Sequence, residues 1–298
     1  MKKVQVFTDS TSDCEKQYRD EVELEYLKME FTIEGKNYDA DLEWPVISPK
    51  DYYDMMRKGS RAITSQIKAT EVEEKFAKAF EAGYDILYIA CSSKFSGSVS
   101  SAKIYAEELL AKYPDRKLVC FDSLRSNYAE GLMAYDTAKL ALKGKTIEEL
   151  VDYLEKNRLK YQTVATVESL EWLRKSGRIT ATSAFFGNLF GVKPIIISDK
   201  VGNNYAFKKV KGRKPSLDEL VDLICTRLTD PTTQGVCIEH ADNERDAQYV
   251  ADKVKERINP KYVHVSMLGP IIGATVGPGT ITCNFYGEEV TISGEEKK

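Results

Sequence analysis

The feature that most constrains the fold is a regular alternation of short apolar runs with amphipathic stretches in the first half of the chain. Runs rich in Val, Ile and Tyr alternate with segments of helical periodicity, which is the pattern of a βα succession. The strand-like runs of this half are VQVFTD (4–9), MEFTIEGKNY (29–38), DILYIACSS (85–93) and KLVCFDS (117–123). Helices of this length between strands indicate a parallel sheet covered on both faces.

Helix starts are predicted from hydroxyl residues followed three positions later by glutamate. In such a capping box the hydroxyl accepts from a backbone N–H, and the carboxylate accepts from the N–H of the first residue. The pattern occurs at Thr70 with Glu73, Thr146 with Glu149, and Ser216 with Glu219. We therefore expect helices to begin at these three positions.

After about residue 160 the strands follow one another more closely, which predicts a mixed sheet and a second lobe. The strand-like runs are VKPIIIS (192–198), NNYAFKKVKG (203–212), GVCIEHA (235–241), VHVSML (263–268) and TITCNFYG (280–287). We expect an α/β protein of two lobes: a parallel-sheet N-terminal lobe over 1–160 and a mixed α/β C-terminal lobe over 161–298.

Composition excludes several classes of function. The chain has 43 basic and 46 acidic residues and a net charge of −3, so nothing favours binding of nucleic acid or an anionic membrane surface. No apolar run reaches the roughly 20 residues of a transmembrane helix. The six cysteines form no CxxC pair, and four lie in strand-like runs, which predicts reduced thiols and a cytoplasmic protein.

Nothing in the chain indicates a metal or a cofactor. Only two histidines are present, His240 and His264, and we expect both to be structural. The GxxxxGK[ST] phosphate loop, the GxGxxG motif and the GxSxG nucleophile elbow are all absent. Any catalysis would have to rely on carboxylates and hydroxyls.

Small hydroxyl residues gather where three predicted strands end, in segments 9–13, 64–66 and 91–98. Ligands of open parallel sheets bind beyond the carboxyl ends of the strands, where helix N-termini suit an anion. The hydroxyls of Ser96 and Ser98 and the amide of Gly97 are candidates to hold a carboxylate or a phosphate. Ser, Thr and Asp are also the preferred N-cap residues, so each segment taken alone is better explained by helix capping, whereas three such segments together favour a site.

Nine segments, taken in order along the chain, resemble the DegV family, which includes the fatty-acid-binding subunits of fatty acid kinase (FakB-type proteins). Besides Gly35-Lys36-x-Tyr38, the matching segments are FTDSTSD (7–13), TSQ (64–66), SSKFSGSVSSA (92–102), FDS (121–123) with Gly131, LEWLRKSGRI (170–179), VKPIII (192–197), KVKGRK (209–214) and GPIIGATVGPGTI (269–281). Their correct order over nearly the whole chain makes the resemblance specific.

The resemblance implies that one long-chain fatty acid lies in a tunnel between the lobes. It implies a carboxylate held by Thr64 and Ser96, which gives Ser65, Ser93 and Gly97 as further ligand-binding candidates. Arg178 and Arg213 match family positions that would meet the head group, its phosphorylated form or a kinase subunit. Segment 184–192 is a candidate lining of the tunnel, with ordinary core as the alternative. In FakB-type proteins a separate kinase subunit phosphorylates the bound acid, so the expected role is non-catalytic.

The sequence departs from the family pattern at three places. TSQ continues as Ile67-Lys68 instead of Pro-Ser, and Lys94-Phe95 places a cation and a bulky ring beside the expected head group. Thr275, which we also assign to the ligand site, stands where the family pattern has a histidine. Because a threonine cannot become charged, this change bears on phosphorylation of the cargo more than on binding.

Two other functions fit the same segments. Asp9, Asp13 and Asp122 lie at predicted strand ends, so a phosphotransferase or hydrolase acting at the same anion site is one alternative. A regulator with a vestigial pocket is the other, and it fits the loss of the family histidine at Thr275.

Overall fold

A computed structural model describes residues 3–180, 185 and 191–294. Its strands are β1 (Val4–Asp9), β2 (Glu25–Leu27), β3 (Glu30–Ile33), β4 (Lys36–Asp39), β5 (Ile63–Ser65), β6 (Asp85–Ala90), β7 (Leu118–Asp122), β8 (Tyr161–Thr166), β9 (Val192–Ser198), β10 (Asn204–Lys211), β11 (Val236–His240), β12 (Val263–Met267) and β13 (Ile281–Tyr286). Its helices are α1 (Lys16–Glu21), α2 (Pro49–Arg57), α3 (Ala69–Glu81), α4 (Ser98–Leu110), α5 (Asn127–Leu142), α6 (Ile147–Asn157), α7 (Leu170–Ser176), α8 (Arg213–Arg227), α9 (Glu244–Ile258) and α10 (Pro270–Val276), with a 3-10 turn at Arg158–Lys160.

The N-terminal lobe is built on a parallel sheet with the strand order β2-β1-β6-β7. Helices cover both of its faces, and β1 shows how the alternation of side chains serves them. Phe7 packs edge-on against Phe76 of α3, with ring centroids 5.0 Å apart, whereas Val6 joins the apolar cluster on the side of α5 and α6. All six residues of β6 are buried, as expected of a central parallel strand.

The C-terminal lobe is built on a mixed sheet with the strand order β10-β9-β8-β13-β11-β12, in which only β11 and β12 run parallel. On β13, Ile281, Cys283 and Phe285 pack in the apolar cluster formed with α8 and α9. The residues between them therefore face the other way, towards the N-terminal lobe. The inner face of this sheet carries the polar side chains that matter below.

A smaller antiparallel sheet with the order β4-β3-β5 adjoins the N-terminal lobe. Its strand β5 places Thr64 opposite Phe31 of β3, whose ring packs at 77° against Tyr52 of α2. The hydroxyl groups of Tyr52 and Tyr53 donate to the carbonyls of Pro270 and Leu268, at 2.8 and 2.7 Å. Helix α2 thereby ties the small sheet to α10.

The two-lobed α/β architecture predicted from the sequence is confirmed, with a parallel sheet in one lobe and a mixed sheet in the other. All described strands of the mixed sheet follow residue 160, since β8 starts at Tyr161. The domain boundary itself stays a prediction.

Of the three predicted capping boxes, one is confirmed and two are wrong. Thr146 and Glu149 exchange both hydrogen bonds at the start of α6. Helix α3 instead begins after Lys68, so Thr70 lies inside it. Helix α8 begins after Gly212, and the hydroxyl of Ser216 donates to the carbonyl of Arg213 at 2.6 Å. Both helices start a few residues earlier than local spacing predicts. The residue before each start, extended Lys68 and Gly212 with its positive φ, has a backbone conformation that the spacing does not report.

Candidate functional site

A cavity of about 380 Å³, the first cavity, lies between the carboxyl ends of the parallel strands and the inner face of the mixed sheet. Much of its described wall is apolar, and β8, α7, β9 and α10 contribute to it. The apolar lining residues are Met29, Phe95, Ala165, Val167, Leu173, Ile196, Ile271, Ile272 and Val276. This volume falls within the range of pockets that hold small organic ligands, about 300–1,000 Å³.

One edge of the cavity carries three hydroxyl residues, which we name the hydroxyl cluster: Thr64, Ser65 and Ser96. Thr64 and Ser65 end β5, and Ser96 lies in the turn before α4. Thr64 and Ser96 are half-buried and Ser65 is exposed. The strand end and the helix start thus bring together hydroxyls that lie 32 positions apart in the sequence. Such a place beyond a strand end and before a helix suits an anion.

The hydroxyl of Ser96 is oriented by its own turn. Its oxygen accepts from the amide of Ser98 at 3.1 Å and lies 2.8 Å from the Ser98 hydroxyl oxygen. The Ser98 oxygen also accepts from the amide of Ile67 at 3.4 Å. When Ser98 donates to Ser96, the hydroxyl hydrogen of Ser96 stays available for a ligand in the cavity.

Six of the eight predicted site residues line the first cavity: Thr64, Ser65, Ser96, Gly97, Arg178 and Thr275. Arg178 is the one charged residue in the described lining; its side chain is exposed and contacts the carbonyl of Ser176. Thr275 lies on α10, and its hydroxyl donates to the carbonyl of Ile271 at 3.4 Å. Their roles in binding stay predictions.

The other two predicted residues, Ser93 and Arg213, lie outside the described lining. Ser93 is exposed, and its amide donates to Asp122 at 3.2 Å. Arg213 starts α8, pairs with Asp246 of α9 at 2.7 Å and donates to the carbonyl of Gly279 at 2.5 Å. These contacts give Arg213 a bracing role within the C-terminal lobe.

The predicted tunnel segment covers residues 184–192, of which 184 and 186–190 lie outside the described part of the chain. Phe185 is half-buried and packs against the core cluster that includes α7 and α10 residues. Lys209 lies over its ring, 5.0 Å from the centroid. The role of the segment as tunnel lining stays a prediction.

The cavity has a second polar wall that sequence reasoning missed in part. Thr11 lies in a hydroxyl segment that the sequence singles out, but Asn127, Thr163 and Thr282 were not expected there. Thr163 and Thr282 sit inside strands that read as apolar. Residues two positions apart in a strand share one face. Thr163 therefore lies on the same face as Ala165, and Thr282 on the same face as Asn284, opposite the apolar cluster; this spacing was the available signal.

Thr11 joins two buried carboxyl groups, an arrangement that we name the Thr11 bridge (Asp9, Thr11 and Glu130). The Thr11 hydroxyl oxygen lies 2.6 Å from an Asp9 oxygen and 2.8 Å from a Glu130 oxygen. A hydroxyl has one hydrogen, so it can donate to only one of them, and the other contact needs a proton on the carboxyl group. The bridge therefore holds one acidic proton.

Hydrogen bonding assigns that proton to Glu130. Asp9 also accepts from the hydroxyl of Tyr88 at 2.8 Å and from the amides of Thr11 and Cys91, at 2.9 and 3.2 Å. Burial and the nearby Asp9 raise the pKa of Glu130 well above its usual range. Burial also raises the pKa of Asp9, while hydrogen bonds from Thr11 and Tyr88 lower it. Asp9 is then the carboxylate and Glu130 the neutral acid.

Deeper between the lobes lies a polar belt of five buried residues: Asn127, Thr163, Glu239, Thr282 and Asn284. One Glu239 oxygen accepts from the Asn284 amide at 2.8 Å and the Thr282 hydroxyl at 2.9 Å. Thr163 lies 3.0 Å from the Asn127 side-chain oxygen and thereby joins β8 to α5.

Asp13 of the N-terminal lobe meets Glu239 of the belt. Burial and the charge of Glu239 raise the pKa of Asp13 well above its usual range. Burial likewise raises the pKa of Glu239 to about 7, although Thr282 and Asp13 hydrogen bonds oppose the shift. Because the two carboxyl groups lie together in a buried site, ionisation of one disfavours ionisation of the other.

The three aspartates that motivated an enzymatic alternative lie outside the described lining of the first cavity. Asp9 and Asp13 are buried in the contacts just given, and Asp122 accepts from the amides of Ser93 and Leu124. Among the described residues there is no group of three or more His, Cys, Asp or Glu side chains suited to a metal ion, and no helix long and apolar enough to cross a membrane.

The chain matches a family model described as "Uncharacterised protein, DegV family" over residues 3–288. A DegV domain-containing protein of Clostridium perfringens is 34% identical over 288 residues, which cover 97% of this chain and 99% of the relative. A DegV domain-containing protein of Streptococcus pyogenes is 28% identical and covers 95% of the chain and 98% of the relative.

Solved structures give the same relationship. The DegV family protein of Thermus thermophilus, described by its fatty acid binding, superposes with a TM-score of 0.85 and 25% identity, covering 96% of this chain and all of that one. DegV of Bacillus subtilis, described as a fatty acid binding protein, gives a TM-score of 0.82 at 24% identity over 97% of this chain and all of that one. The similarity to the Bacillus subtilis protein shows a shared fold.

Proposed function

Since this chain belongs to the DegV family, we propose that it binds one long-chain fatty acid in the first cavity and presents the carboxyl group at the hydroxyl cluster. The observation that carries the proposal is the division of the cavity into an apolar wall and an edge of hydroxyls. The fatty acid binding described for the Thermus thermophilus relative supports the choice of ligand.

The apolar wall supplies most of the affinity in this proposal. Burying about 15 methylenes at about 0.8 kcal/mol each yields on the order of 12 kcal/mol before the cost of ordering the chain. Each hydrogen bond from a hydroxyl adds only about 0.5–1.5 kcal/mol. The hydroxyl cluster therefore sets which end of the ligand faces outward.

The carboxylate is held by Thr64 and Ser96, with Ser65, Gly97 and Thr275 around it and Arg178 as the nearby cation. Ser96 fits this role because, when the Ser98 hydroxyl donates to it, the Ser96 hydroxyl hydrogen can be donated to the carboxylate. Gly97 fits because a methyl group there would come within 2.6 Å of the Gln66 side-chain oxygen, which also lines the cavity. Ser93 and Arg213 lie outside the described lining of the cavity and are left out of this proposed carboxylate site.

We further propose that the protein is the non-catalytic, substrate-presenting partner of a separate kinase subunit in the cytoplasm. In the described lining no carboxylate or histidine is available as a general base. A site that holds the carboxylate with hydroxyl groups and leaves it chemically accessible suits presentation to another protein.

The first test is denaturing extraction of the purified protein followed by mass spectrometry of bound lipid. About one equivalent of a fatty acid of 14–18 carbons is the expected result. A protein that is empty and also fails to take up added fatty acid would exclude the proposal.

The site assignment is tested by the double variant Thr64→Ala/Ser96→Ala, with Ser93→Ala as the matched control outside the cavity. Loss of two hydrogen bonds to a carboxylate costs about 2–3 kcal/mol, or roughly 30- to 150-fold in Kd. Thermal unfolding of the empty forms should stay nearly unchanged. Equal affinity in the double variant would contradict the assignment.

The kinase proposal is tested separately by incubating the loaded protein with ATP, alone and with a bacterial fatty acid kinase subunit. We expect acyl phosphate only in the second mixture. Acyl phosphate formed by the protein alone would make it an enzyme.

A further inference from the structure

A second cavity, of about 570 Å³, lies on the opposite side of the polar belt from the first. The register of the mixed sheet places it there. On β8, Thr163 lines the first cavity and Tyr161 the second; on β13, Thr282 lines the first and Tyr286 the second. The two cavities thus share one sheet face and are separated by the belt.

Tyrosine dominates the wall of this second cavity, which we name the tyrosine cavity. Of the 17 tyrosines in the chain, six line it: Tyr18, Tyr128, Tyr135, Tyr161, Tyr262 and Tyr286. Consecutive rings stand nearly at right angles. Tyr18 meets Tyr135 at 87° with centroids 6.3 Å apart, and it meets the imidazole of His264 at 81° and 5.3 Å.

The polar tips of several of these tyrosines are already engaged by the protein. Tyr161 donates to Asp136 at 2.9 Å, and Tyr286 donates to Asn157 at 2.7 Å. Tyr18 lies 3.4 Å from a ring nitrogen of His264, whose other nitrogen contacts Glu15. Binding by these three tyrosines would therefore rely on their ring faces and not on their hydroxyl groups.

Four charged residues of Asp, Glu and Lys type line the cavity. Asp136 is half-buried, whereas Glu21, Lys139 and Lys261 are exposed. The ammonium of Lys139 lies 5.1 Å from the centroid of the Tyr135 ring. The protein's own cation is thus already drawn to one of the ring faces, as the negative face of an aromatic ring predicts.

From this combination we propose that the tyrosine cavity is a second ligand site, and that it takes an organic ammonium ion. Perpendicular ring faces surround the cation on several sides, and Asp136 and Glu21 balance its charge. Recognition of quaternary ammonium groups by such aromatic walls is a general use of cation–π attraction. The site is independent of the fatty acid proposed for the first cavity.

Tyr262 is a residue at which the wall of the tyrosine cavity can be altered by mutation. Its ring lies flat on Gly235, where an added methyl group would come within 2.5 Å of three ring carbons. Gly235→Ala must therefore displace this wall of the cavity, while Tyr262→Ala removes it. Tyr262 is 42% exposed, so its removal leaves the core intact.

The experiment is calorimetric or NMR titration of the full chain with choline and with 3,3-dimethylbutan-1-ol, its neutral counterpart of the same shape. We expect saturable binding of choline, at least tenfold weaker binding of the neutral alcohol, and the same result with and without fatty acid. Equal binding of both probes, or no saturable binding of either, would overturn the proposal.

Variants locate the site. Tyr262→Ala and Gly235→Ala should each weaken choline binding at least fivefold, whereas Lys139→Gln should tighten it because a competing cation leaves the Tyr135 ring. The matched control is Tyr249→Ala. Tyr249 has Lys214 over its ring at 5.8 Å and donates to Asp218 at 2.5 Å, but it lies outside the cavity. Unchanged choline affinity in both wall variants, or a loss in the control as large as theirs, would overturn the proposal.

Discussion

The hydroxyl cluster and the Thr11 bridge border the same cavity, yet they are built on opposite principles. Thr64 and Ser96 are neutral, partly exposed and placed where a strand ends or a helix begins. Thr11 is buried between the carboxyl groups of Asp9 and Glu130. One group leaves hydrogen-bonding capacity for a ligand, whereas the other uses it within the protein.

This difference shows that different residues of the cavity serve ligand binding and the stability of the fold. Removing a partly exposed hydroxyl lets water replace a lost hydrogen bond, so the fold tolerates it. Removing a buried carboxylate leaves several donors without a partner. The hydroxyl cluster can therefore vary with the ligand, while the Thr11 bridge stabilises the N-terminal lobe and the polar belt joins the two lobes.

The largest expected effect comes from breaking the Thr11 bridge at its charged member. Asp9→Ala leaves the hydroxyls of Thr11 and Tyr88 and the amide of Cys91 without their acceptor. We expect a loss of about 4 kcal/mol in the free energy of unfolding, measured by urea denaturation.

Glu130→Gln is the matched variant, because its amide still donates to Thr11 and its carbonyl still accepts from Thr8. It should change the free energy of unfolding by less than about 1 kcal/mol. A cost equal to that of Asp9→Ala would mean that Glu130 is the carboxylate, contrary to the hydrogen-bond accounting.

The second effect is the pH dependence of the free energy of unfolding, which distinguishes the polar belt from the hydroxyl cluster. The pKa of Glu239 is about 7 in the folded protein and about 4.5 when unfolded, because burial disfavours its charged form. A raised folded pKa contributes stability below pH 4.5 that is lost as pH rises through 7. We expect wild type to lose on the order of 2–3 kcal/mol between pH 4.5 and 8 from this group.

Glu239→Gln should reduce that loss, since glutamine keeps the acceptor for Thr282 and Asn284 but does not ionise. The measurement is urea denaturation at a series of pH values, with the exposed Glu74→Gln as control. An identical pH profile in Glu239→Gln and wild type would show that Glu239 titrates normally.

Much of the fold follows from local pattern, as β1 illustrates. The run VQVFTD predicts a strand over 4–9, and the strand occupies Val4–Asp9, because a short run rich in β-branched and aromatic residues before a turn favours a strand. The starts of α3 and α8 were wrong at Thr70 and Ser216. Capping depends on the conformation of the preceding loop, such as the positive φ of Gly212, which local spacing does not report.

The candidate site likewise contains residues that the sequence predicts and residues that it does not. Thr64 and Ser96 were found because strand ends and a family resemblance mark them. Thr163, Thr282 and the pairing of Asp13 with Glu239 depend on which faces of two lobes meet, and residues more than 100 positions apart create that contact. From the sequence alone, a polar residue inside a strand is only an exception to the apolar pattern, because its partners become apparent when the contacts between the lobes are known.

The smallest expected effect tests whether the hydroxyl cluster can be made to titrate like the belt. Thr275→His places an imidazole, with an ordinary pKa near 6.5, in a cavity whose described lining has Arg178 as its one charged group. Because an imidazolium attracts a carboxylate, fatty acid affinity should rise about two- to fivefold, or less than about 1 kcal/mol, as pH falls from 7.5 to 5.5. Thr275→Gln, which is of similar bulk and does not ionise, should show the wild-type pH profile in the same fluorescence titration. If both variants follow wild type, residue 275 does not reach the bound carboxylate, and the head group lies nearer to Thr64 than to α10.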